Sequence, residues 1–559
     1  MTPSFSQIPW DRWKPKLLEV LPGYTRKTFV SDLIAGLTVG LVALPLAMAF
    51  GIASGVTPQA GIYTAIFGGM IVSLLGGSKL QIAGPTGAFV VIVASIIAKF
   101  GLSGLLMVTM MAGVILLFLG LTGLGVAVRF IPRPVVIGFT NGIALLIAST
   151  QIKDFLGMKM KANPSEFIER IKTIATHLNT IDWPSCGLAV ASICLILQVP
   201  KFVRRVPGSI AAMLAGAAAV ALFHLPVETI GSRFGGLSGG LPPIHIPPFR
   251  ADLILPLLPS AFTVAILAAV ESLLSAVVAD GLSGDRHNSN AELVAQGTAN
   301  ILVPLIGGIP VTGAIARTGT NFKSGAKTPV AGVIHSLTLL AVMLLFAPFA
   351  KFIPLATLAA VLFVVAYNIG EWREIPSILK LDTPARSVWL ITFVLTVVAD
   401  LTVAVEVGMA LASLLYIYRI SQTTTVAVVT PDYIEDGRPH VLQDKEVPPY
   451  VTILRIHGPF LFGTTDQLRE ETADLSGYAP VVIVRLRNMT ALDATGLHEL
   501  ERLNDRLRKS GRTMLICGAR RQPAQLLKRS DFIAHVGKEH ILPHIQAALQ
   551  HAERMHAGG

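Results

Sequence analysis

Leu80-Gln81-Ile82-Ala83-Gly84-Pro85-Thr86-Gly87-Ala88 and Ile309-Pro310-Val311-Thr312-Gly313-Ala314-Ile315-Ala316-Arg317 decide how this chain is read. Each lies deep in hydrophobic sequence. Each runs from a Gly-Gly pair (Gly76-Gly77, Gly307-Gly308) through a short extended stretch with proline or glycine into a fresh helix start. Two such interruptions, one per half of a membrane region, point to a binding site near the bilayer midplane. A helix that begins inside the membrane offers free N–H groups and the positive end of its dipole, and both favour an anion.

Composition supports the membrane reading. Of 559 residues, 52% are hydrophobic and only 14% charged, where a soluble domain carries about a quarter charged residues; mean hydropathy is +0.64. Leu33–Ser78 contains no charged residue, enough for two spans of roughly 20 residues each. Further charge-free runs include Leu80–Ala98, Leu102–Val128, Pro134–Gln151, Val206–Val227, Leu253–Val270, Thr328–Ala350 and Phe352–Gly370. The hydrophobic region ends near Ile420, which leaves room for about twelve to fourteen spans of that length. The polar, basic N-terminus (Arg12, Lys14, Lys16, Arg26, Lys27) lacks the short apolar run and cleavage site of a signal peptide.

The net charge is +11. Without a basic-aromatic patch this does not read as nucleic-acid binding; basic loops that orient spans explain it. The clusters Arg129/Arg133 and Lys201/Arg204/Arg205 fall on the cytoplasmic side if the N-terminus is cytoplasmic, and an even number of spans returns the C-terminus to the same side. The three cysteines (Cys186, Cys194, Cys517) suggest no disulfide framework.

After Tyr418-Arg419 charges return at ordinary soluble density. Residues 422–448 are polar and turn-rich (Pro431-Asp432, Glu435-Asp436-Gly437) and read as a linker. Strands are expected at Val451–Ile456, Val481–Leu486 and Met514–Cys517. A helix capped at Thr464-Thr465-Asp466 is expected through about Leu475. Another is expected over Ala494–Lys509, with Leu497, Leu500, Leu503 and Leu507 on one face and Gly511 as its stop. Shorter helices are expected near Pro523–Lys528 and Leu542–His551. The boundaries are therefore 1–28, an N-terminal segment; 29–421, the membrane domain, with halves at about 29–228 and 253–421; 422–448, the linker; and 449–559, a small α/β domain.

At this point the chain resembles the SulP family of sulfate permeases over nearly its whole length. The resemblance is carried by Asp32-Leu33-Ile34-Ala35-Gly36-Leu37-Thr38-Val39-Gly40 with Leu44-Pro45, by Gly84-Pro85-Thr86, and by Glu271-Ser272-Leu273-Leu274. It continues through Asn290-Ala291-Glu292-Leu293 with Gln296-Gly297, Gly307-Gly308-Ile309-Pro310 and Ala316-Arg317-Thr318. The C-terminal domain is similar to the STAS module, with Leu492-Asp493-Ala494-Thr495-Gly496 at its strand-to-helix loop. The resemblance implies an α-helical polytopic membrane protein of fourteen spans in two inverted seven-helix repeats, with core and gate domains, commonly a homodimer, plus a cytoplasmic STAS domain. It also implies an anion site between the starts of the third and tenth helices. The wording of the chain looks closest to bacterial members, including the dicarboxylate-carrying branch, which implies the inner (plasma) membrane.

The residues agree with that implied site. Pro85 fits a first helical position, where its missing N–H costs nothing. Thr86, Gly87 and Ala88 would then present amides to a ligand, and Ala314, Ile315 and Ala316 would do so from the other half. The small residues let an anion approach the backbone, and Gly84, Pro85 and Gly313 are counted with them as candidate binding residues. A simple kink is the alternative for either interruption alone. Glu271 lies within the apolar segment Leu253–Ala279, where an ionisable group costs roughly 2.5–3.5 kcal/mol. A carboxylate beside an anion site repels the substrate unless protonated, so Glu271 is a candidate for coupling proton binding to anion binding; a structural pair with Arg317 is the alternative. Arg317 could attract a dianion or partner Glu271. The family often has Ser-Arg where this chain has Ala316-Arg317. His335 is a proton relay or a hydrogen-bonded core residue, and Asp400 and Glu406 read as boundary or interface charges. Thr495 is either a phosphate acceptor or the cap of the helix that begins there.

No Walker A motif, metal-ligand spacing, Gly-x-Ser-x-Gly elbow or dinucleotide fingerprint is present, so neither an enzyme nor a cofactor is expected. The expectation is a secondary active anion transporter working by alternating access. Sulfate and C4-dicarboxylates (fumarate, succinate) rank together and bicarbonate third, with proton symport preferred and sodium coupling left open. A passive channel, an exchanger and a STAS signalling scaffold are the alternatives; breaking helices in lipid serves no purpose in a scaffold. Partners would be the bilayer, a second copy of the chain and a cytosolic protein docked on the STAS domain.

Overall fold

The computed structural model describes residues 12–123, 132–160, 164, 166–203, 206–237, 239–248, 250–399, 401–429 and 447–557. Arg129, Arg204, Arg205, Asp400 and the turns at 431–437 lie outside these residues. The chain divides into two compact units, Met1–Ala410 and Leu411–Gly559.

The first unit is helical. Its elements are α1 (Lys16–Val20), α2 (Arg26–Ala53), α3 (Pro58–Tyr63), a π-helical turn over Thr64–Gly68, α4 (Gly69–Leu75), β1 (Ala83–Gly84) and α5 (Gly87–Thr122, broken at Gly101). They continue with α6 (Arg133–Phe155), α7 (Phe167–Thr176), α8 (Trp183–Phe202), α9 (Gly208–Phe223), α10 (Ile230–Phe234), α11 (Ile254–Ser283) and α12 (Ser289–Leu302). Last come β2 (Thr312–Gly313), α13 (Ile315–Lys323), α14 (Val330–Phe346), α15 (Leu355–Ile369), α16 (Ile375–Ile378), α17 (Thr383–Val398) and α18 (Leu401–Thr423), which crosses the boundary between the units. Among the described residues, eight helical stretches are long and apolar enough to cross a membrane, and Gly208–Phe223 and Thr383–Val398 are shorter apolar helices. Starts follow local chemistry: the Thr25 and Thr57 hydroxyls accept from the Thr28 and Ala60 amides, and Thr229 with Ser232 forms a capping box. Helices α5, α11 and α12 pack together, α2 packs on α14, and α6 packs on α15 and α17.

The two interruptions meet. β1 and β2 pair antiparallel, Ala83 opposite Gly313 and Gly84 opposite Thr312. Around this short ladder the backbone has left helical bonding, so side chains must satisfy it. The Asn300 amide brackets Val311, accepting from its N–H at 2.9 Å and donating to its carbonyl at 2.8 Å. The Ile309 amide donates to the Thr64 hydroxyl (2.8 Å) and the Ile82 amide to that of Thr318 (3.1 Å). Asn321 donates to the Leu80 carbonyl (2.9 Å).

The second unit contains a five-stranded sheet in the order β3 (Thr425–Val428), β4 (Val451–Phe460), β5 (Val481–Leu492), β6 (Thr513–Cys517) and β7 (Ile541–Leu542). β3 runs antiparallel to β4, and the other neighbours are parallel. β3 lies inside the span read as linker, and β4 and β5 extend four and six residues beyond the expected strands. The helices are α19 (Thr465–Glu471), α20 (Ala494–Lys509), α21 (Arg521–Arg529), α22 (Phe532–Val536) and α23 (Ile545–Ala557). Leu500, Leu503 and Leu507 of α20 pack on one face of the sheet with Leu454, Val482 and Ile516. Ile545, Ala548 and Ala552 cover the other face with Ile453, Ile483 and Leu515.

Candidate functional site

α5 and α13 both begin at one cavity of about 270 Å³, lined among others by Thr86, Gly87, Glu271, Gly313, Ala314, Ile315, Ala316 and Arg317. Neither helix caps itself. Thr86 is the N-cap of α5, in extended conformation, but its side chain makes no cap bond; it donates instead to Glu271 Oε2 at 2.7 Å. Ala314, the N-cap of α13, has no side-chain oxygen to offer. Such starts leave first-turn amides without intrahelical partners. The amides of Gly87, Ala88, Ile315, Ala316 and Arg317 meet no protein acceptor among the described residues.

Several expectations need correction. Pro85 is not the first helical residue: α5 starts at Gly87, and the Pro85 carbonyl accepts a bond from Arg317 Nη2. The Ala314 amide is not free for a ligand, because it donates to the Ile82 carbonyl at 2.8 Å as the strand pairing extends by one residue. Gly84, Pro85 and Ala88 do not line the cavity. Gly84 has φ +156°, and a Cβ there would stand 2.6 Å from Arg317 Nη1; the glycine makes room for the guanidinium.

Arg317 is 3% exposed. One side of its guanidinium is fixed by Pro85, while Nη1 is buried without an acceptor among the described residues. No ion pair joins it to Glu271 there, so the structural pairing considered from the sequence is not formed in this state. His335 is fully buried with neither ring nitrogen bonded to protein, unlike the hydrogen-bonded core histidine offered as its alternative. Glu406 is exposed.

The sequence reading missed Leu46 and Phe50 of α2, Thr140 of α6, Val365, Asn368 and Ile369 of α15, and Glu371, which complete the cavity. The signal in the sequence is faint: Glu371 is the first charged residue after the charge-free run Phe352–Gly370. In the second unit, Thr495 is exposed, and the cap of α20 is Asp493, whose carboxylate accepts from the Gly496 amide at 2.8 Å. Thr464 stands at the N-cap position of α19, but its side chain makes no cap bond; its hydroxyl accepts from the Leu461 amide and donates to the Leu461 carbonyl.

Comparison with known proteins agrees with this architecture. The model of the sulfate permease family matches residues 29–392 and that of the STAS domain residues 443–548. The chain is 40% identical to "Putative sulfate transporter YvdB" of Bacillus subtilis, over 93% of this chain and 97% of that protein. It is 30% identical to bicarbonate transporter BicA of Picosynechococcus, over 93% of this chain and 94% of that protein. Among solved structures, murine Slc26a9 shares the fold at a TM-score of 0.85 and 18% identity, covering 97% of this chain and 94% of that one. The transmembrane domain of a cyanobacterial BicA aligns at a TM-score of 0.62 and 30% identity, covering 70% of this chain and 98% of that one. The chain therefore belongs to the sulfate permease family, as a multi-pass anion transporter with a C-terminal STAS domain.

Proposed function

We propose that this protein is a secondary active transporter that carries sulfate across the bacterial plasma membrane by alternating access, with proton binding at Glu271 coupled to anion binding. One observation carries the reading: two uncapped helix starts, each with unpartnered amides, open on one cavity beside a buried guanidinium. Backbone donors and positive dipole ends suit an oxyanion. The Thr86–Glu271 hydrogen bond supports the coupling, since it joins the carboxylate to the residue that opens α5. Ionised, Glu271 adds a negative charge at the anion's own cavity; protonated, it removes it. In this reading Gly84 and Pro85 shape the site and the amides of Gly87, Ile315, Ala316 and Arg317, which line the cavity, bind. Fourteen spans with both termini cytoplasmic, a homodimer, and a regulatory role for Thr495 belong to the same proposal.

Bicarbonate is the second reading, favoured by the 30% identity to BicA over 93% of the chain. Oxyanion recognition by backbone amides does not itself separate sulfate from bicarbonate or a C4-dicarboxylate such as fumarate or succinate. The test is radiolabelled uptake of sulfate, succinate, fumarate and bicarbonate into proteoliposomes, with proton, sodium or no gradient, for wild type and Glu271→Gln. Proton-driven sulfate accumulation that is lost in the variant is expected. Accumulation indifferent to the proton gradient and to the substitution would exclude symport through Glu271 in favour of sodium coupling, exchange or channel-like flux.

A further inference from the structure

Helix α12 carries Glu292, Gln296 and Asn300 at successive spacings of four, one stripe along the helix. All three are 0% exposed. Nothing in the anion-binding reading uses them, yet their partners are the two interrupted segments and α11. Asn300 brackets Val311, ahead of β2. Glu292 Oε2 accepts from the Gly77 amide at 3.0 Å, where the first interruption begins. Glu292 Oε1 accepts from Gln81 Nε2 (2.8 Å), Ser272 Oγ (3.0 Å) and Gln296 Nε2 (3.0 Å). Gln81 and Gln296 also donate to Ser272 Oγ at 2.7 and 2.9 Å.

Four donors on two oxygens is the acceptor load of a carboxylate, and no Lys or Arg pairs with it among the described residues. A charge buried this way is held by hydrogen bonds alone, an arrangement that costs desolvation and gains geometry. Two donors, the Gly77 amide and Gln81, come from the first interruption, one, Ser272, from α11, and one, Gln296, from α12 itself. Gln81 lies two residues before β1, and its amide fills the space a Cβ would need at Gly313, 2.1 Å away, so it touches both interruptions. Ser272 is the residue after Glu271 on α11.

We propose that Glu292 is a positioning residue, the common anchor through which α12 fixes the two helix starts relative to each other and to Glu271, and so sets the affinity for the anion. This rests on the anion-site reading above. It contacts no substrate; it acts through Gln81, Ser272 and the Gly77 amide.

The test uses the full-length protein. Glu292→Gln keeps the volume and removes an acceptor oxygen; Ser272→Ala deletes one donor and leaves the carboxylate with three. Two readouts are taken: the KM and maximal rate of anion uptake, and hydrogen exchange of peptides covering residues 78–88 and 309–317. The expected result is a KM raised about tenfold in Glu292→Gln and several-fold in Ser272→Ala, from losing charge-assisted bonds, with maximal rates within about twofold and Ser272→Ala still purifying as a folded species. Exchange should quicken in both segments, including 309–317, to which the Ser272 hydroxyl makes no hydrogen bond among the described residues. Unchanged KM with unchanged exchange in Ser272→Ala overturns the proposal, whether or not Glu292→Gln folds. If the wild type carries none of the anions, the functional reading fails by itself, and exchange alone then decides the positioning role.

Discussion

At the scale of single residues, the site depends on what each side chain does not do. Thr86 opens a helix and leaves its amides uncapped, because its hydroxyl is engaged by Glu271. Arg317 spends one nitrogen on Pro85 and keeps another unpaired. Gly84 is fixed by both φ +156° and the guanidinium at 2.6 Å from its Cβ position. Gly84→Ala should therefore cost about 1–3 kcal/mol of local strain and displace Arg317, seen as weakened anion binding in protein that still purifies as a folded species; binding equal to wild type would show that the guanidinium's placement is dispensable. Much of this was legible in the sequence, since Glu271, Thr86 and Arg317 stand out as polar groups in apolar or interrupted sequence. Thr140, Asn368 and Glu371 were not. They reach the cavity from α6 and from the end of α15, and no local pattern announces a neighbour so far along the chain.

At the scale of elements, the interruptions were legible as helix breaks but their pairing was not. The ladder joins residues about 230 positions apart, and that register consumes the Ala314 amide and moves the free donors of α13 to Ile315 and beyond. The cap of α20 is a similar lesson on a smaller scale. Asp493 and Thr495 are both capping residue types, and the geometry selects the one with extended backbone and a carboxylate within 2.8 Å of the Gly496 amide. Asp493→Ala should lower the stability of the STAS unit by about 1 kcal/mol, and Thr495→Ala by much less; thermal denaturation distinguishes them, and equal losses would contradict the assignment. Near α1, Lys16 bonds Asp285 and Glu19, and Lys79 also reaches Asp285. Burial alone would raise the Asp285 carboxyl, but the Arg286 amide and the Lys16 and Lys79 charges hold it below its ordinary 3.8. A lowered carboxyl stabilises above its unfolded value and ceases to as the pH falls through the folded one. Acid-active proteolysis ahead of α2 should thus accelerate only below about pH 4; acceleration already at pH 6 would mean that Asp285 does not hold the segment.

At the scale of the whole molecule, the chain has two units with separate hydrophobic cores, one helical and able to cross a membrane, one an α/β sheet domain. Composition and hydropathy announced that division, because burial in lipid and burial in water demand different charge densities. They could not announce the β3 edge strand, which is four residues long and is stabilised by pairing with β4 rather than by any pattern of its own. The central claim is that unpartnered amides at the two helix starts bind the transported anion. Ile315→Pro tests it most directly. Proline is favoured at a first helical position, and Ala314 before it already has the extended backbone (φ −104°, ψ 105°) that precedes proline, so the helix is kept and one donor is removed. Sulfate titrated into the purified full-length variant should bind about tenfold more weakly than into wild type, with the melting temperature unchanged. Equal affinity in a folded variant would contradict the account.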